Sequence, residues 1–108
     1  MAQEPVLSEV KPTAGVPTVL YVTQQGQTAQ GTVFCMNQNP TKYGDAISVA
    51  LVSNGNVLTS NCYICYQSTI NYGHSVYLQQ ICLGSQDNVF VTSQNGTTNF
   101  IFTGMSET

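Results

Sequence analysis

Asn61-Cys62-Tyr63-Ile64-Cys65-Tyr66-Gln67-Ser68-Thr69-Ile70, and the segment that answers it through Val76-Tyr77-Leu78 to Ile81 and Leu83, decide the fold. Apolar and aromatic residues alternate along the first stretch. The chain then turns at Asn71-Tyr72-Gly73 and resumes in the same manner. Successive side chains of a strand point to opposite faces, so Cys62, Ile64 and Tyr66 are expected on one face and Tyr63 and Cys65 on the other. This predicts a central β-hairpin.

Working outward, the same chemistry repeats. Thr18-Val19-Leu20-Tyr21-Val22 is rich in β-branched and aromatic residues and reads as a strand. A second runs from about Ala29 to Asn37, with Val33 and Cys35 on one face and Thr32, Phe34 and Met36 on the other. Ile47, Val49 and Leu51 alternate with Ser48, Ala50 and Val52, and Asn54-Gly55 after them is a two-residue hairpin signal. Beyond the centre, Gly84 to Asp87 marks a turn, Asn88 to Thr92 a strand, and Asn95-Gly96 another tight turn. Thr98 to Thr103 closes the series, with Phe100 and Phe102 pointing one way and Ile101 the other. About seven short strands and no 3.6-residue apolar period predict an all-β antiparallel sandwich over residues 18–104.

The flanks read differently. Pro5, Pro12 and Pro17 favour extended backbone, and Val6, Leu7 and Val10 are isolated apolar anchors. Residues 1–17 are therefore expected to form an extended arm, lying on a neighbour or on its own domain, and 105–108 a C-terminal tail. Deleting Met1–Val16 is expected to leave a folded domain.

Charge is the outlier of the composition. Of 108 residues 42% are hydrophobic, as in an ordinary globular domain, but only 6% are charged, against roughly 25% in a typical soluble domain. Charge does little to keep copies of such a surface apart, which suggests a protein packed against other protein. Neutral drift in an ordinary monomer is the alternative. The net charge is −3, and Lys11 and Lys42 are the two basic residues. That excludes direct nucleic-acid binding and a polybasic membrane patch, both of which need clustered cations. No apolar run reaches the roughly 20 residues of a membrane span. The first residues lack the basic and apolar regions of a signal peptide, which predicts synthesis in a cytoplasm.

Residues able to carry chemistry are scattered. Cys35, Cys62, Cys65 and Cys82 are expected as free thiols. Cys62 and Cys65 are spaced like metal ligands, but a three-residue step along a strand separates their side chains. His74 is the single histidine, in a turn. Glu4, Glu9, Asp45, Asp87 and Glu107 show no paired acid–base spacing, and Asp45 and Asp87 fit local turn hydrogen bonds. Asn95-Gly96-Thr97 matches a glycosylation acceptor but reads as a turn. No catalytic residue, cofactor or metal is expected. Tyr63, Tyr66, Tyr72 and Tyr77 among many Asn and Gln residues offer a platform for carbohydrate, or core and interface rings.

The order of these pieces resembles a family of small β-sandwich structural proteins in the virions of tailed bacteriophages, especially those of cyanobacteria. The resemblance rests on Thr18-Val19-Leu20-Tyr21-Val22, Thr28-Ala29 to Asn37, Ile47 to Leu51 and Tyr63-Ile64-Cys65-Tyr66. It continues through Ile70 to Gly73, Ile81-Cys82-Leu83-Gly84, Asp87 with Val89-Phe90-Val91-Thr92-Ser93, and Phe100 to Gly104. It spans residues 17–104. Cys65 departs from the pattern, where the family more often has a charged residue, and Cys62 and Cys82 are unusual too. What the resemblance implies is a non-enzymatic virion protein, made in the host cytoplasm, most specifically a capsid decoration or cement protein. Trimers would sit at capsomer junctions against the major capsid protein or other virion proteins. Val6, Leu7, Val10, Cys65 and Ile101 are the interface residues expected on this reading. A tail, neck or baseplate accessory and a carbohydrate-binding module are the alternatives.

Overall fold

A computed structural model describes residues Gln3–Thr108. Eight strands follow one another: β1 Gln3–Val10, β2 Thr18–Val22, β3 Thr28–Asn37, β4 Asp45–Val52, β5 Tyr63–Ile70, β6 Ser75–Leu83, β7 Asn88–Ser93 and β8 Thr98–Glu107. They form two four-stranded antiparallel sheets, ordered β1-β8-β3-β6 and β2-β7-β4-β5. The β-sandwich class expected from the sequence is present, with eight strands where about seven were expected.

The connectivity is not that of successive hairpins. Only β4 and β5 are consecutive strands in one sheet; every other connection crosses to the opposite sheet. β1 pairs with β8, β2 with β7, β3 with β6 and β4 with β5, so the chain is one long nested hairpin rolled into a sandwich. This is the eight-stranded jelly roll.

Several expectations are corrected by it. Asn71-Tyr72-Gly73 joins strands in different sheets, so the central hairpin is β4–β5 and not β5–β6. Asn54-Gly55 does turn the chain, with Gly55 at φ +84° and Asn56 N donating to Ser53 O, but inside a longer connection that includes a short 3-10 turn at Ser60–Cys62. Asn95-Gly96 likewise turns between sheets.

The arm and tail are also part of the sandwich. Gln3 to Val10 pairs in continuous register with Glu107 to Phe100, and β8 runs through Glu107 with Ser106 buried. Val6 and Val10 pack against the core. Pro5 had suggested a free segment, but an edge strand tolerates a proline whose missing N–H faces outward.

The core lies between the sheets. Val33 and Cys35 of β3, Phe100 and Phe102 of β8, Ile47 and Val49 of β4, and Val89 and Val91 of β7 are fully or almost fully buried. Tyr21 stacks on Phe102 with ring centroids 4.7 Å apart. Each such residue is the inward half of an alternating strand, and burying a large apolar side chain contributes roughly 1.5–3 kcal/mol.

One pair of glycines is required by a close backbone approach. Gly31 of β3 stands opposite Gly104 of β8. A Cβ on Gly104 would lie 2.0 Å from Gln30 O, and one on Gly31 would lie 2.3 Å from Thr103 O. Beside them the β3–β6 register slips and Gln80 takes φ +61°, so the sheet bends here.

Three stability outcomes are expected in urea unfolding. Gly104→Ala should lose about 3 kcal/mol, because backbone rather than a flexible side chain must move. Thr23→Val should gain about 1 kcal/mol, because Thr23 Oγ1 is buried with no hydrogen-bond partner. Removing Gln3–Val10 should abolish the cooperative transition or cut stability by several kcal/mol, roughly the burial of Val6 and Val10 plus a ladder of hydrogen bonds.

Candidate interaction surface

The interior holds one ionisable knot, and it is structural. Asp45 begins β4 and is buried. Its Oδ2 accepts hydrogen bonds from the hydroxyls of Ser93 and Thr98, and its Oδ1 accepts from Asn95 N at 2.9 Å. Ser93 Oγ in turn accepts from Thr97 N and Thr98 N. Beside it, the buried Asn37 amide donates to Tyr43 O and Ile70 O, and its Oδ1 accepts from Asn39 N and Thr97 Oγ1. Two side chains thus tie the connections β3–β4, β5–β6 and β7–β8 together at one end of the sandwich. At the other end Asp87 accepts from Gly84 N and, across 33 residues, from Asn54 N. Both carboxylates do more than the local turn bonds expected of them.

These partners leave the carboxylates little to do chemically. His74 lies in the β5–β6 connection, where its backbone N–H donates to Asn71 O and its carbonyl accepts from Asn37 N. Among the described residues no group of three or more His, Cys, Asp or Glu side chains is placed to hold a metal, and no helix is long and apolar enough to cross a membrane.

All four cysteines are free. Cys35 is buried on β3, and burial, with Cys65 nearby, pushes its thiol up to about 12. Cys65 faces the core opposite Val49. Cys62 sits in the 3-10 turn, where hydrogen bonding to Thr59 lowers its pKa. Cys82 is exposed.

The tyrosines do not converge. Tyr63 and Tyr66 meet edge to face at 4.9 Å on β5, Tyr72 lies in the β5–β6 connection, and Tyr77 is on the other sheet against Phe34. Part of the expected alternation on β5 fails because the strand slips register against β4 twice, and Gln67 takes φ +48°.

The surface that stands out is the outer face of β1-β8-β3-β6. Register aligns Glu9, Ile101, Phe34 and Tyr77 in one row across the four strands. Phe34 is 41% exposed and Tyr77 56% exposed, their rings 5.9 Å apart. Met36 flanks this row on one side; Leu7, at 72% exposure, and Met105 lie on the other. Glu9 and Glu107 are the only charged residues at outward positions of these strands. An antiparallel sheet facing water normally places polar residues outward. Large apolar side chains across central strands mark an interaction face.

The five interface residues expected from sequence divide accordingly. Leu7 and Ile101 lie on this face; Val6, Val10 and Cys65 turn inward against the core. Tyr77 was named only among the tyrosines offered as a carbohydrate platform or as core and interface rings, and Phe34, Met36 and Met105 were missed. Their signal was the doubly apolar alternation of β3, where Phe34 and Met36 sit between core residues.

The sheet edges, by contrast, carry features that hinder added strands. β1 carries Pro5, β2 has five residues and a register shift, β5 slips twice and β6 bulges at Gln80. Each device hinders edge-to-edge pairing.

No family model matches the chain, and no curated protein matches it in sequence. Among solved structures, a chain from "Structure of infectious bursal disease virus Gx strain" is similar over 96% of this chain and 28% of its own, at 10% identity and a TM-score of 0.38. This chain therefore spans under a third of that neighbour's length, and so loose a superposition carries no argument.

Thiol labelling at pH 8 should separate the cysteines. Cys62 and Cys82 should react with an aromatic disulfide reagent in the folded protein, whereas Cys35, protonated until far above that pH, should react only on unfolding. Thr59→Ala should slow the labelling of Cys62 by removing the hydrogen bond that favours its thiolate. Asp45→Asn should cost about 3 kcal/mol, because an amide cannot accept all the donors converging on that site.

Proposed function

We propose that this chain is a non-enzymatic structural protein of a virion, most specifically a capsid decoration or cement protein of a tailed bacteriophage. One observation carries the reading: a jelly roll whose Asp45 and Asp87 are consumed in loop ties presents a sheet face with an apolar row and only Glu9 and Glu107 as charged residues. Jelly rolls serve as capsid modules and as lectins. A structural module needs a rigid body with faces to pack, and this body has both. The resemblance of residues 17–104 to small phage virion proteins points the same way. Its partner would be the major capsid protein or another virion protein, further copies of this chain included, and its contacts would run through the outer faces of the two sheets. Arm exchange is not favoured, since Gln3–Val10 is already engaged with β8.

Location on the particle is a matter of copy number. Quantitative mass spectrometry of virus particles purified from the source that encodes this chain should find it at hundreds of copies, comparable with the major capsid protein. A handful per particle would support the tail, neck or baseplate alternative. Absence from particles would overturn the virion reading. A lectin is the second reading that the fold allows, but Tyr63 and Tyr66 meet edge to face and Tyr77 is on the other sheet. Reproducible glycan-array binding that is lost in Tyr66→Ala would favour it.

A further inference from the structure

We propose that the outer face of β1-β8-β3-β6 is where two copies of this chain pair face to face, about a two-fold axis parallel to the strands. The inference stands on the face itself and holds whether or not the protein belongs to a virion.

Three features choose a second copy as the occupant. The first is the closure of the edges: Pro5, the short β2, and the register slips of β5 and β6 hinder growth by strand addition. Association is left to the faces. Of these, the sheet β2-β7-β4-β5 exposes Val19, Val22, Ile64 and Tyr66 only on its edge strands, while the centre of its outer face covers itself, since Ala50 and Val52 are buried there, with Ala50 flanked in register by Phe90 and Tyr63.

The second is size. The molecule measures 46 × 26 × 19 Å. Covering half of its broad face would remove roughly 600 Å² per copy, about 1,200 Å² in all, which reaches the lower bound of specific, stable interfaces.

The third is charge, and it also selects the axis. The row Glu9–Ile101–Phe34–Tyr77 is asymmetric, with a carboxylate at one end and a phenol at the other. A two-fold axis parallel to the strands, between β8 and β3, lays β1 on β6 of the second copy and β8 on its β3. Glu9 then meets the other copy's Tyr77, a hydroxyl donor for a carboxylate, and Ile101 meets the other copy's Phe34. An axis perpendicular to the strands would instead set β1 on β1 and bring the two Glu9 carboxylates together, a like-charge contact. The first arrangement is self-complementary, as an isologous contact must be.

The test is sedimentation equilibrium or light scattering of the full chain and three variants, each checked for an intact fold by thermal melting. The wild type should be a dimer. Phe34→Lys should raise the dissociation constant by roughly 30-fold or more, as loss of a central anchor does. Val19→Lys, on the opposite sheet, should leave it unchanged. Tyr77→Lys decides the axis. With β1 over β6 the new lysine faces Glu9 of the other copy and pairing survives; with β6 over β6 two lysines repel and pairing is lost. A monomeric wild type at about 100 µM, well above the Kd of specific complexes of this size, would overturn the proposal. So would a trimer, or a dimer indifferent to Phe34→Lys. A dimer lost in Tyr77→Lys would overturn the strand-parallel axis.

Discussion

The Asp45 carboxylate, buried and held by Ser93, Asn95 and Thr98, is the interaction on which the sandwich depends. A polar group is costly inside a protein unless hydrogen-bond partners replace its water. Here the donors come from the end of β7, the turn after it and the start of β8. The carboxylate can therefore be satisfied only when β4, β7 and β8 are in place. Asn37 extends the knot to the connections on either side. A jelly roll crosses between sheets at almost every connection, so its ends are where its order must be specified. Asp45 and Asn37 specify one end, and Asp87 the other.

This explains why local structure was legible and topology was not. Alternation placed Val33, Cys35, Ile47, Val49, Phe100 and Phe102 in the core correctly, because a strand's period of two is a local property. The turns at Gly55, Gly73 and Gly96 were legible for the same reason, each glycine taking the positive φ such turns favour. Which strand a turn leads to is not local. Asn71-Tyr72-Gly73 and Asn95-Gly96 turn the chain by chemistry that serves an in-sheet hairpin equally well. The partners that send them across the sandwich, Asn37 and Asp45, lie dozens of residues away. Pro5 misled in the other direction, since a proline inside a strand-like run reads as a break unless the strand is known to be an edge.

The apolar outer face was half legible. Ile101 was recognisable as the outward residue between two core phenylalanines, and Leu7 as an isolated apolar residue. Tyr77 and Phe34 become a surface only through register, which aligns four strands drawn from both ends and the middle of the sequence. Val6 and Val10 were assigned to an interface because nothing local in the sequence shows that β8 receives them. The low charge was visible from composition, but its consequence needed the structure. Neutral polar residues around an apolar row permit contact with a like surface, and closed edges keep that contact from propagating.

The pairing of β1 with β8 also bears on how the chain is made. Gln3–Val10 leaves the ribosome early, yet β8, which lies between β1 and β3, begins only at Thr98. At ordinary elongation rates of about 5–20 residues per second, β1 waits roughly 5–20 s for the strand it pairs with. The sheet that holds Phe34 and Tyr77 therefore cannot assemble co-translationally from its first strand. It is completed only once β8 is available, the strand that places Phe100 and Phe102 in the core and turns Ile101 outward. During that interval β1 has no strand beside it, and β3 lacks one of its two neighbours.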